Sequence, residues 1–101
     1  MNHSSRSRAY NHGLADLLTE LLGIEAEDII YQRTPMGRGT VHRRLTGESD
    51  WTTREIVYLS DLVGVTPSRL VSAMSQVAVH GADLGQTAIS LAHAAMAGES
   101  R

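Results

Sequence analysis

The sequence predicts an all-α fold of about six helices. Three observations lead there. Leucines and other aliphatics recur at helical spacing, three helix starts carry cap signals, and no stretch alternates apolar and polar residues as a half-buried strand would.

Residues 1–9 are polar, Ser-rich and basic through Arg6 and Arg8, and are expected to form a flexible arm. Leu14, Leu17, Leu18, Leu21 and Leu22 then fall on one stripe of a first helix, which Gly23 is placed to end. A second helix is expected over Glu25 to Arg33, with Ile29 and Ile30 inward, acids at its start and Arg33 at its end, an order that complements the helix dipole. Pro35, Gly37 and Gly39 break the chain. A third helix starts at Arg38 or Thr40 and runs to Thr46, with Val41 and Leu45 four apart and Gly47 placed as a left-handed stop.

The start of the fourth helix is the best marked. Thr52 and Glu55 have capping-box spacing, Trp51 and Ile56 have staple spacing, and Ile56, Leu59, Leu62 and Val63 give its buried face up to Gly64. Thr66 caps a fifth helix with Pro67 in its first position. His80, Gly81 and Ala82 interrupt the chain. Asp83 and Gln86 then repeat the cap spacing before a last helix on which Leu84, Ala88, Leu91 and Ala95 share a side. Eight of the eleven alanines lie from Ala73 onward. This final segment either folds back on its own domain or packs across a twofold axis.

The 101 residues suffice for one domain. Ile, Leu and Val number 23 and Phe is absent, so the core is aliphatic. Without cysteine there are no disulfides, thiolate metal sites or cysteine nucleophiles. No apolar leader or membrane-length run is visible, which gives the cytoplasm as the expected location and no membrane as a partner. His3, His12, His42, His80 and His93 show no i, i+4 pairing, so neither a metal nor another cofactor is expected. The Gly37-Arg38-Gly39 stretch lacks the preceding strand and the Lys-Ser/Thr ending of a phosphate loop. No nucleophile setting and no small-molecule substrate emerge, and the chain is expected not to be an enzyme.

Charge is where function shows. The formal net charge is −2, and all nine basic residues are arginine. From Asp16 to Asp28 there are five acids and no arginine. From Arg33 to Arg44 there are four arginines, His42 and no acid, leaving −6 for the rest of the chain. Guanidinium forks suit phosphate oxygens and guanine edges. The same arginines could instead pair with the preceding acids on a solvated face. An imidazolium at His42 would also favour phosphate.

The segment from Gly39 to Gly47, followed by Thr52 to Leu70, resembles the lambda-repressor/Cro-like helix-turn-helix family. There a recognition helix ends in glycine and a loop precedes a helix of pattern E-L-x-x-L-A-x-x-L-G-V-S. Glu55-Ile56-Val57-Tyr58-Leu59-Ser60-Asp61-Leu62-Val63-Gly64-Val65-Thr66 stands in its place here. The resemblance spans roughly residues 12–75. It implies that helices two and three are the helix-turn-helix, with Val41 and Leu45 buried. Arg38, Gly39, Thr40, His42 and Arg43 would lie on the face entering the major groove, and Arg44 and Arg33 would anchor phosphates. Tyr31 and Pro35 stand where the family has a small residue and a glycine, and Glu27 stands where it often has a phosphate-contacting Gln.

Residues 56–74 also fit a helix-turn-helix spacing, in which the fifth helix would read DNA. That helix carries only Arg69, so the arginine-bearing third helix is preferred.

The expected organisation is a basic arm (1–9), a five-helix DNA-binding domain (10–79) whose recognition helix spans about 38–46, and an Ala-rich C-terminal helix (80–101) as a dimerisation element. The expected function is a sequence-specific, repressor/Cro-type transcription regulator, homodimeric on operator DNA. Arginine without lysine looks like a high-GC genome, actinobacterial or phage. The alternative is a helical protein-binding module, such as an antitoxin or an adaptor.

Overall fold

In the computed structural model, residues 3–98 are described, with side chains described from His12 onward. They form six α-helices and no strand. The helices are α1 (His3–Leu22), α2 (Ala26–Arg33), α3 (Arg38–Leu45), α4 (Thr53–Val63), α5 (Pro67–Val79) and α6 (Leu84–Met96). A single 3₁₀ turn, Gly23–Glu25, joins α1 to α2. The fold is all-α, as the sequence predicts.

Local chemistry explains where the later helices begin. Thr52 accepts from the Glu55 N–H at 3.2 Å while the Glu55 carboxylate accepts from the Thr52 N–H at 2.9 Å, a closed capping box. Thr66 accepts from Arg69 N–H ahead of Pro67, and Asp83 accepts from Gln86 N–H at 2.8 Å. Gly64 ends α4 at φ +92°, a left-handed conformation that costs glycine little, and its N–H returns to the Ser60 carbonyl.

α1 is the central strut: it packs chiefly on α5 and α6, and also on α2 and α3. Gly13 permits the close approach to α5, since a Cβ there would meet Ala78 Cβ at 3.0 Å. α4 lies on α5 and also meets α2 and α6. One aliphatic core links all six helices through Leu14, Leu17, Leu18, Ile30, Val41, Leu59, Leu70 and Leu91. The Cα radius of gyration, 12.6 Å, is that of a close-packed chain of about 100 residues.

Two expectations about organisation change. The arm expected over residues 1–9 is helical from His3, as the start of α1. Residues 3–12 contain neither Pro nor Gly, and the helix passes through Gly13, a poor interior helix former that is held by its close packing on Ala78 of α5. Met1, Asn2 and the side chains of Arg6 and Arg8 lie outside the described residues. The helix within 80–101 is part of the main core, since Ala88 and Leu91 are buried and α6 lies on α1 and α5. Folding back on its own domain is therefore what α6 does, while Ile89 and Met96 stay 50% and 83% exposed. Residues 99–101 lie outside the described residues.

Candidate nucleic-acid interface

α2 and α3 form an edge of the molecule, joined by residues 34–37. The connection is held locally. Thr34 N–H and its hydroxyl both donate to the Ile30 carbonyl, and Met36 N–H donates to the Thr34 hydroxyl. Met36 is buried and so anchors the turn in the core. Pro35, where the resembling family has glycine, fits because no residue of this turn has a positive φ and Thr34 before it is extended.

The backbone of α3 approaches only α2 and α1. It buries Val41 fully and Leu45 in part, and leaves Arg38, Gly39, His42 and Arg43 exposed. α5 is the opposite case. It packs on α1, α4 and α6 and buries Leu70, Ala73 and Met74. The competing placement of a reading helix at α5 thus falls on a helix packed on three others, with Ser68, Arg69, Ser72 and Gln76 exposed, whereas α3 packs on two.

The four arginines of 33–44 divide into distinct roles. Arg44 turns inward. Its Nε and Nη2 donate to the two oxygens of Glu55 at 2.7 and 3.0 Å, and Nη1 donates to the Ser49 hydroxyl at 2.6 Å. The pair is largely buried, with side-chain exposures of 14% and 11%. The expected phosphate contact by Arg44 is therefore corrected. All three of its guanidinium nitrogens donate inside the fold, and it ties α3 to α4 where their backbones do not pack. Burial alone would raise the Glu55 carboxyl. Hydrogen bonds from Arg44 and Thr52, with the Arg44 charge, outweigh burial and hold it below the ordinary glutamate value. The hydrogen bond to Glu55 raises the Arg44 guanidinium in turn.

Arg38 is exposed but held on α2. Its Nη1 lies 2.7 Å from Asp28 Oδ1 and 3.8 Å from Glu27 Oε2, and its guanidinium carbon sits 4.3 Å from the centre of the Tyr31 ring. The Asp28 hydrogen bond raises the guanidinium pKa. Glu27 also takes His42, whose Nδ1 is 3.0 Å from Oε1. The pairing of basic and acidic segments anticipated as the alternative is thus realised for Arg38 and His42. It is not realised for Arg43, whose Nη2 meets only the Thr40 hydroxyl at 3.4 Å, nor for Arg33, which makes no ion pair with a described residue. Compared with known proteins, the chain matches no family model, no curated protein and no solved structure.

The charge run along 33–44 does not reach Arg54, which belongs to α4. A groove of 480 Å³ runs between the start of α3 and the start of α4, lined by Gly37, Thr40, Thr52, Arg54 and Tyr58 among others. It adjoins a smaller one, of 340 Å³, that Arg33 lines beside Pro35 and Tyr58. Arg33 and Arg54 thereby flank the α3 edge from α2 and α4. The signal that could have located Arg54 is its position one residue inside the Thr53 start of α4, beside a cap read from sequence.

No helix among the described residues is long and apolar enough to cross a membrane. Nor do these residues contain a group of three or more His, Asp or Glu able to hold a metal ion.

Proposed function

We propose that this chain is a sequence-specific DNA-binding transcription regulator of repressor/Cro type, acting in the cytoplasm as a homodimer on a pseudo-palindromic operator. One observation carries the reading. α3 bears Arg38, His42, Arg43 and Arg44 with no acid, buries fully only Val41, and packs its backbone on α1 and α2 alone, with the Arg44–Glu55 bridge its tie to α4. A helix so placed is able to enter a major groove, with its N-terminal residues against base edges. Arg38, Gly39, Thr40, His42 and Arg43 form the face in that arrangement, and Arg33 and Arg54 reach flanking phosphates. The exposed Ile89 and Met96 of α6 supply apolar surface for the second copy.

The test is selection of bound duplexes from a random DNA library. A palindromic consensus with half-sites about one helical turn apart is expected. An unenriched pool would remove the sequence-specific reading.

A second reading is favoured by a specific observation. Glu27 and Asp28 neutralise part of the α3 edge, as a protein-binding module such as an antitoxin or adaptor would allow. Absence of duplex binding at low salt would place that reading first.

A further inference from the structure

We infer that Asp28 and Tyr31 are positioning residues for Arg38, fixing its guanidinium across the α2–α3 junction so that it reads one base. The inference rests on the DNA-binding reading and adds to it which residue is preorganised, and by what.

The geometry is specific. Arg38 begins α3, while Asp28 and Tyr31 lie three apart on α2, one turn of the same face. Asp28 takes Nη1 from the side at 2.7 Å, and Tyr31 covers one face of the guanidinium at 4.3 Å. Nε and Nη2 have no partner among the described residues, so the parallel pair of N–H groups that suits a guanine edge is left intact. A free arginine loses much rotamer freedom when it binds. One already held by a carboxylate and a ring has given up part of it beforehand.

The arrangement also accounts for two departures from the resembling family. Tyr31 occupies the position of a small residue, and it is 41% exposed with its ring stacked on Arg38. Glu27 occupies the position of a phosphate-contacting Gln, and it faces Arg38 and His42 instead.

The carboxylates act in two opposed ways, and this makes the role testable. A negative charge beside DNA weakens binding to every sequence alike, whereas a fixed Arg38 strengthens binding to one sequence only. Affinity alone mixes the two effects, and the ratio of specific to random-duplex affinity separates them.

The experiment measures that ratio by fluorescence anisotropy for the full chain, Asp28→Asn and Tyr31→Leu, using the selected duplex and a scrambled one. Thermal unfolding is followed alongside. Asp28→Asn is expected to bind scrambled duplex at least as well as the wild type while the ratio falls about fivefold or more, the low end for one bidentate arginine–guanine pair. Tyr31→Leu changes no charge, so the ratio falls with scrambled binding unchanged, and it serves should Asp28→Asn fold poorly. Repeating the selection with either variant is expected to relax one base position per half-site. A ratio that stays constant or rises, with the consensus intact, overturns the inference while leaving DNA binding in place. A wild-type chain that binds neither duplex overturns the DNA reading and this inference with it.

Discussion

The α2–α3 edge and the α4–α6 layer are built on different terms. α2 and α3 have eight residues each, and neither start carries a side-chain cap hydrogen bond. α4, α5 and α6 have 11, 13 and 13 residues, and each is capped, by Thr52, Thr66 and Asp83. The capped helices and α1 hold most of the core, while α3 contributes one fully buried side chain. Helices of two turns are marginal alone, so α3 owes its place to Val41, Met36 and the Arg44–Glu55 bridge. Stability is concentrated in one region, and the other is left free to present side chains.

The sharpest way to break this comparison is to make one truncation in each region. Leu70→Ala, at a fully buried position on α5, should lower unfolding free energy by about 2–5 kcal/mol in urea titration. His42→Ala on α3 should stay within about 0.5 kcal/mol of the wild type, since its side chain is 60% exposed. A comparable destabilisation at both sites would mean that α3 is as structural as α5.

Next in size is the bridge between the regions. Glu55→Gln leaves Arg44 without its carboxylate in a partly buried position, at a cost of about 1–3 kcal/mol. The Glu55 carboxyl is depressed in the folded chain. Its contribution is therefore fully present above the ordinary glutamate range and disappears as pH falls through the lower, folded value. Acid titration of stability should show this decline in the wild type and much less of it in Glu55→Gln.

Arg43→Ala should weaken specific duplex binding by about 1–3 kcal/mol with stability unchanged, as expected for a base contact. Arg69→Ala on α5 should leave binding unaffected. The reverse result would move the reading helix to α5.

The smallest effect is at Gly39. A Cβ there would meet only the flexible Arg43 guanidinium, at 3.4 Å. Gly39→Ala should therefore stabilise by about 0.5–1 kcal/mol while hindering approach to DNA. Denaturation and duplex titration of the same sample check both signs.

How far the sequence could be read divides along the same line. The capping box at Thr52 and Glu55, the caps at Thr66 and Asp83, and the leucine stripe of α1 are local signals, and the structure contains all of them. The site is less legible because its partners are not local. Glu55 shows in sequence as a capping residue, but its use by Arg44 eleven positions earlier depends on how α3 and α4 sit together. Asp28 and Arg38 are ten apart on different helices, so sequence could offer their pairing only as an alternative. The backward extension of α1 to His3 is hidden because polar, basic composition resembles that of an arm and Gly13 reads as a weak point, while the packing of Gly13 on α5 is not local.

The central claim is that the α3 edge meets nucleic acid through its guanidiniums. Salt dependence of duplex binding tests it most directly. The wild type should weaken steeply between about 50 and 200 mM salt, while Arg33→Ala/Arg54→Ala should show a log–log slope shallower by about 0.9 for each phosphate that is no longer neutralised. A wild-type slope near zero, or one that the double substitution leaves unchanged, would contradict the account.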